Sequence, residues 1–291
     1  MQTIARGIFY ENSYLGVTVG GLVFSHGVIL IDAPLRAEDA RSWRSALLNQ
    51  RGGTNRLLVN LDSHPDRTLG ARAMDCSIVA HQRAAQAFRS RPTIFKGQGI
   101  ETGADWEMYG DVIGMRWAAP DITFTQCLSL HWGGPEVLLE HHPGPAPGSI
   151  WVIIAAERVA FVGDTVVLDQ PPFLENADLT AWIESLELLS KSYRDYLIVS
   201  GRGGPAPTDA VRDQLRVLKH IMRNMDRLAR KNASPEATED LIPALLAGYS
   251  LSSDLHERYT QRLRFGLYQY YARRYHPASS LEPNHLDEEE Q

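Results

Sequence analysis

Residues 57–70 read LLVNLDSHPDRTLG, and this stretch decides the fold. Its first half, with Leu57, Leu58, Val59 and Leu61, is an apolar run of strand length. The run stops at a knot of polar groups, with Asp62, His64 and Asp66 at alternate positions and Arg67 directly behind. A buried strand that ends this way delivers side chains to the edge of a sheet, where α/β folds place their sites. Aspartate and histidine are also ligand types that divalent metals accept. On spacing alone the same residues suit a solvated loop, so the flanking sequence has to decide.

Upstream, short apolar runs broken by Gly20, Gly21, His26 and Gly27 predict a strand meander over 7–10, 13–19, 21–24 and 28–31, closing at Asp32. Asp32 is expected to fix loop backbone rather than to do chemistry. Ala40, Trp43 and Leu47, spaced by three and four, predict a helix over 37–50. Downstream, residues 77–80 form a further strand, followed by a basic amphipathic segment over 81–91 in which His81 is read as structural. Residues 96–119 mix glycine, acidic residues and aromatics without a period, as a lid or connector over the site would. Strands are then expected over 121–124, 128–132 and 136–142, followed by a Pro- and Gly-rich turn running into the apolar residues up to 154, and by an apolar run from Val159 that ends at Gly163 and Asp164. Leu179, Trp182, Ile183, Leu186 and Leu189 mark a helix over 178–190. The final strand, over 196–200, runs into Gly201, Arg202 and Gly203. Two longer helical blocks follow, one capped by Thr208 and one carrying Leu255, Tyr259, Leu263 and Leu267 on one face.

In this order the features resemble the metallo-β-lactamase superfamily. There a strand ends in His-x-His-x-Asp-His with glycine shortly after; here the frame is Asp62, Ser63, His64, Pro65, Asp66, Arg67, then Gly70. The family's Gly-His-Thr-Pro-Gly-Ser turn corresponds to Gly144, Pro145, Ala146, Pro147, Gly148 and Ser149. Its Gly-Asp strand end is intact as Gly163 and Asp164, and its closing Gly-His-Gly has become Gly201, Arg202 and Gly203. The resemblance implies an α/β fold: a four-layer αβ/βα metallo-β-lactamase-like sandwich over 1–206, a C-terminal helical extension over 207–276 packed on it, and a frayed acidic tail over 277–291.

The family's hydrolases hold two metal ions with histidines and aspartates and use a bridging hydroxide as nucleophile. Three of those ligand positions are non-ligating here, namely Arg67, Pro145 and Arg202. Guanidinium donates and never accepts, and at ~4 Å it repels a divalent ion by about 8 kcal/mol at an effective dielectric near 20. The paired change, imidazole to guanidinium at both Arg67 and Arg202, predicts forked hydrogen bonds to Asp66 and Asp164 in place of the second metal. The remaining set of His64, Asp164 and Asp62 could hold a single divalent metal such as zinc, manganese or iron, or none. His141 and His142 stand near the altered turn, but adjacent strand residues face opposite ways, so at most one points inward.

Three functions follow as expectations. One is a homologue that has lost the dinuclear site and acts as a binding or scaffold protein. Another is a mononuclear metal-dependent hydrolase of an ester, thioester or phosphoester. The third is a metal-free enzyme with His64 as general base and Asp62 or Asp66 orienting it. Over the 291 residues the net charge of −6 argues against nucleic-acid binding. The sequence shows no signal peptide and no run of membrane-spanning length, so no membrane partner is expected. Cys76 and Cys127 lack metal-site spacing, and a cytoplasmic, reduced setting is the expectation. A small-molecule or small-anion ligand and a homo-oligomeric state both stay open.

Overall fold

The computed structural model describes residues 1–97 and 99–276, so the expected acidic tail over 277–291 lies outside the described residues. Seven strands form the first sheet in chain order: β1 (Gln2–Ala5), β2 (Ile8–Glu11), β3 (Val19–Val23), β4 (Gly27–Ile31), β5 (Asn55–Val59), β6 (Ser77–His81) and β7 (Ile122–Phe124). It is antiparallel from β1 to β4 and parallel from β4 to β7. The parallel crossovers carry α1 (Ala37–Leu48), a short α2 (Pro65–Thr68) and α3 (Gln82–Ser90). The second sheet contains β8 (Cys127–Leu130), β9 (Val137–His141), β10 (Ile150–Ile154), β11 (Val159–Phe161) and β12 (Leu197–Val199). It runs in the order β12-β11-β10-β9-β8, and α4 (Leu179–Ser192) connects β11 to its parallel neighbour β12. The chain ends in α5 (Thr208–Arg230), α6 (Ile242–Leu246) and α7 (Ser253–Tyr275).

Strand alternation explains the layering. Ile29, Ile31, Leu57 and Val59 point into the core between the sheets and meet Leu139, Ile150, Val152 and Phe161 of the second sheet. Their neighbours Val28, Leu30 and Leu58 face the other way and pack under Ala40, Trp43 and Leu47 of α1. On the far side Trp151 and Ile153 pack with Trp182 and Leu186 of α4, and with Leu218 of α5 and Leu263 and Leu267 of α7. A period of two on both central strands thus yields four layers, αβ and βα. The C-terminal helices share one core with α4 and the second sheet. No described helix is long and apolar enough to cross a membrane.

Three local expectations are corrected. A strand at Gln2–Ala5 precedes the meander, and its sequence carries no alternation to announce it. The strand expected over 13–19 begins only at Val19. The preceding residues reach instead across to the second sheet: Asn12 Nδ2 donates to Gly203 O at 3.0 Å and Thr18 N to Gly201 O at 2.8 Å. Thr208 is the first residue of α5 rather than its cap; Pro207 takes the cap position, and no side chain bonds the helix end.

Gly70 of the opening motif sits where the turn after α2 passes Pro34, and a Cβ there would lie 2.0 Å from the Pro34 carbonyl oxygen. That oxygen is backbone and cannot rotate away. Gly70→Ala should therefore cost about 1–3 kcal/mol, as overpacking does, read as a lower midpoint in urea unfolding. A midpoint equal to the parent's would mean that the α2 turn is free to shift.

Candidate functional site

The ends of four strands converge at one rim of the sandwich. Asp32 follows β4, and Asp62 and His64 follow β5. Asp164 lies in the turn after β11, and Arg202 in the turn after β12. His64 caps α2: its Nδ1 accepts the Asp66 N–H at 3.2 Å, and Asp62 Oδ1 accepts the His64 N–H at 2.7 Å. The alternation of Asp62, His64 and Asp66 therefore folds into a capped turn that holds all three side chains together. Gly201 is required beside Asp164, since a Cβ there would stand 2.4 Å from Asp164 Oδ1.

Arg67 is completely buried. Its Nη1 donates to Asp32 Oδ2 at 2.9 Å and its Nη2 to Asp164 Oδ1. Its Nε stands 3.2 Å from Asp62 Oδ1, an ion-pair contact without hydrogen-bond geometry. Asp32 fixes backbone as expected of it, accepting the Leu61 N–H on Oδ1 at 2.8 Å, and adopts a left-handed φ of 56°. Arg202 is buried just as fully. Its Nε donates to Asp164 at 3.2 Å, and its Nη1 to Asp66 Oδ2 at 2.8 Å and Asp105 Oδ2 at 2.7 Å. Asp66 also accepts the backbone N–H groups of Asp105 at 3.2 Å and Trp106 at 2.8 Å. The two guanidiniums thus reach Asp164 and Asp66, the carboxylates that the sequence comparison paired with them.

Asp105, Arg258 and Arg262 were not singled out from the sequence. Asp105 belongs to the aperiodic stretch over 96–119, which does fold onto the site. It accepts from Arg202 and, at 3.3 Å, from Arg262 of α7, and it forms an ion-pair contact at 3.2 Å with Arg258 of the same helix. Arg262 is buried and also donates to Gly103 O at 3.0 Å and Gln170 Oε1 at 2.7 Å. Its position among Tyr259, Leu263 and Leu267 on the apolar face of α7 was the available signal, a charge where a core residue belongs. Phe173 is wedged between the cations, with the Arg262 and Arg202 guanidinium carbons 4.0 and 4.5 Å from its ring centre and the His64 ring at 4.4 Å.

Five aspartates therefore face four arginines in one contiguous network. Burial raises the Asp164 carboxyl, but Arg202 and Arg67 more than reverse this and hold it well below the usual carboxylate range. Burial lowers His64, and Arg202 adds to the effect, so its imidazole is neutral at physiological pH. Because Nδ1 accepts from Asp66, the proton of that neutral ring is assigned to Nε2.

The donor set does not fit the family's divalent metals. The carboxylates of Asp66 and Asp164 are occupied by guanidiniums at both positions where the second metal's imidazoles would stand. At the first position, His64 turns its lone pair to a backbone amide, with Arg202 Nη2 3.4 Å away. Pro145 lines the same cavity and has no side-chain donor. His141 and His142 do diverge: His141 stacks on His81 at 3.7 Å and bonds Pro147 O, while His142 stacks on Trp151 at 3.6 Å and bonds Glu140. Neither lines the cavity over Asp164. His81 caps α3 through Nδ1, the structural role expected of it.

Two outcomes follow from this network. Arg67→Met should cost about 3–5 kcal/mol in denaturant unfolding, because it strands buried carboxylates; a loss under about 1 kcal/mol would mean that the carboxylates relax into solvent. Asp164 keeps its charge to lower pH when folded than when unfolded. The stability it contributes is therefore present above the ordinary carboxylate range and is lost as pH falls through and below it. Asp164→Asn should flatten the acid limb of a thermal-midpoint profile, and an unchanged slope would contradict the assignment.

Residues 63–202 match the family model described as metallo-beta-lactamase superfamily. No functionally curated protein matches the chain by sequence. Among solved structures, a metallo-beta-lactamase from Pontibacter korlensis aligns at 16% identity and a TM-score of 0.58, covering 75% of this chain and 97% of that one. The stereoselective inverting sec-alkylsulfatase Pisa1 from Pseudomonas sp. aligns at 16% identity and a TM-score of 0.64 over 98% of this chain. This chain spans 51% of that protein's length. The DIM-1 metallo-beta-lactamase aligns at 14% identity and a TM-score of 0.58 over 75% of this chain. At such identities the likeness is one of fold. The motif order, the family match over the site-bearing segment and the αβ/βα sandwich are those of the metallo-β-lactamase superfamily.

Proposed function

We propose that this protein is a binding member of the superfamily in which an internal ion-pair network has replaced the dinuclear metal centre, so that it acts as a binding or scaffold protein rather than a hydrolase of the family's usual kind. One observation carries the reading: Arg67 bridges Asp32 and Asp164 from a fully buried position. A hydrolytic metal supplies a Lewis acid and an ionised water. A guanidinium supplies neither, since it has no exchangeable ligand and no acceptor. The free thiols of Cys76 and Cys127 support a reducing, cytoplasmic setting.

A second reading has its own support, because Asp62, His64 and Asp164 all line one cavity. It is a mononuclear enzyme using zinc, manganese or iron on an ester, thioester or phosphoester. The engagement of His64 Nδ1 weighs against it. The same weakness affects a metal-free general base, since Asp66 gives its oxygens to Arg202 and two amides rather than to the His64 ring.

Elemental analysis of protein purified without a metal-affinity tag separates these readings. We expect well under one divalent metal per chain and no metal-dependent hydrolysis of aryl esters, thioesters or phosphoesters. One metal per chain with such activity would establish the mononuclear enzyme, and two would overturn the ion-pair reading. A restoration experiment gives a second readout. Zinc should leave the parent's unfolding midpoint unchanged. The double variant Arg67→His with Arg202→His vacates the volume and supplies imidazoles. It should gain about 2.7 kcal/mol at a zinc concentration a hundredfold above its Kd.

A further inference from the structure

A cavity of about 960 Å³ opens above the ion-pair network, with Asp62, His64 and Asp164 on its floor. The floor cannot take an external anion, because Arg67 and Arg202 donate inward to their own carboxylates and are almost wholly buried. The wall differs. Arg91, at the end of α3, lines the cavity with its guanidinium 4.6 Å above the Trp117 ring and 5.2 Å from that of Phe88. Its Nη1 is buried with no hydrogen-bond partner among the described residues. Arg91 also forms no ion pair among the described residues, so the guanidinium that lines the cavity is left without a contacting counter-ion, a position that favours an entering anion.

The surroundings specify what arrives. Arg83 and Lys96 line the same cavity beside Arg91, and Arg273 of α7 lines it from another element. Arg273 is held in place by donating to Glu175 O and to Ala177 O, the latter at 2.7 Å. Glu175, the acidic residue nearby, has its carboxyl raised by burial, which lessens its opposition to an anion. Aromatic and apolar groups, including Phe95, Trp117, Phe173 and Phe265, supply the remaining lining. An arginine fork beside flat apolar surface selects an anionic head with at least two acceptor oxygens attached to an apolar body.

We propose that this cavity binds an amphiphilic organic anion, with its carboxylate or sulfonate head on Arg91 and its apolar body against Trp117, Phe95 and Phe265. The site rests on the metal-free reading of the floor, because a dication beside Asp62 and His64 would itself take the anionic head.

The test uses the full chain in a chelator-containing buffer and calorimetric titration with naphthoate, naphthalenesulfonate, the neutral naphthamide and acetate. Naphthoate should bind more tightly than naphthamide or acetate by about tenfold or more, the worth of a charge-assisted fork. Naphthalenesulfonate binding as well as naphthoate would assign the site to anions by charge; weaker sulfonate binding would assign it to carboxylates by shape. Arg91→Gln should abolish the preference for naphthoate over naphthamide while leaving naphthamide affinity unchanged. Should Arg91→Gln lower the thermal midpoint, the exposed pair Arg83→Gln with Lys96→Gln serves instead, and it should weaken naphthoate several-fold at low salt. Equal affinities for naphthoate and naphthamide, no binding of either, or naphthoate binding untouched in both variants would overturn the proposal. Naphthoate binding that is lost on chelation and restored by zinc would instead overturn the metal-free floor.

Discussion

The site depends on one fork, Arg67 held between Asp32 and Asp164. Asp32 ends a strand of the first sheet and Asp164 ends one of the second, so the fork ties the two halves of the sandwich at the rim where the family builds its chemistry. Neither partner is stable alone. A buried carboxylate or guanidinium costs several kcal/mol when unpaired, and only the completed set repays its desolvation. This explains why the network is extensive. One guanidinium presents at most two donors to a given carboxylate, which can accept about four hydrogen bonds, and Arg202, Arg258 and Arg262 add contacts at Asp66 and Asp105.

That requirement draws the C-terminal helices into the site. Leu263, Leu267 and Tyr271 of α7 share one core with α4, α5 and the second sheet. Arg262 adds a second function, since it neutralises Asp105 and stacks on Phe173. Phe173 in turn supports His64 and Arg202 through its ring. The tail helix therefore positions the rim residues as well as covering apolar surface.

The legible parts of the sequence were those whose partners lie at a fixed period or within a motif. Ile29 and Ile31 against Val28 and Leu30 gave the faces of β4 directly, and the Asp62–Gly70 frame located the site. The joint appearance of Arg67 and Arg202 was informative because a single guanidinium would have left one carboxylate uncompensated. Illegible were the contacts made across the chain by segments without a period. Residues 13–18 look like a strand because they include apolar and β-branched residues, yet Thr18 at their end bonds across to Gly201 and Gly204. Asp105 sits in the least patterned stretch, and its partners stand far away on α7. Local propensity holds no information about such partners.

An arginine network and a metal centre give such a rim different chemistry. A divalent ion keeps an exchangeable position, where it polarises a substrate oxygen or ionises water. A guanidinium holds its geometry with fixed donors and stays protonated throughout the physiological range. Here the donors of Arg67 and Arg202 are directed to internal carboxylates. Recognition must then come from groups the network leaves unused. Arg91 is one such group: it lines the cavity with an aromatic ring beneath it and makes no ion pair among the described residues. On the proposed reading, the anion-binding capacity of the rim then lies one layer outward, at the end of α3 rather than at the strand ends.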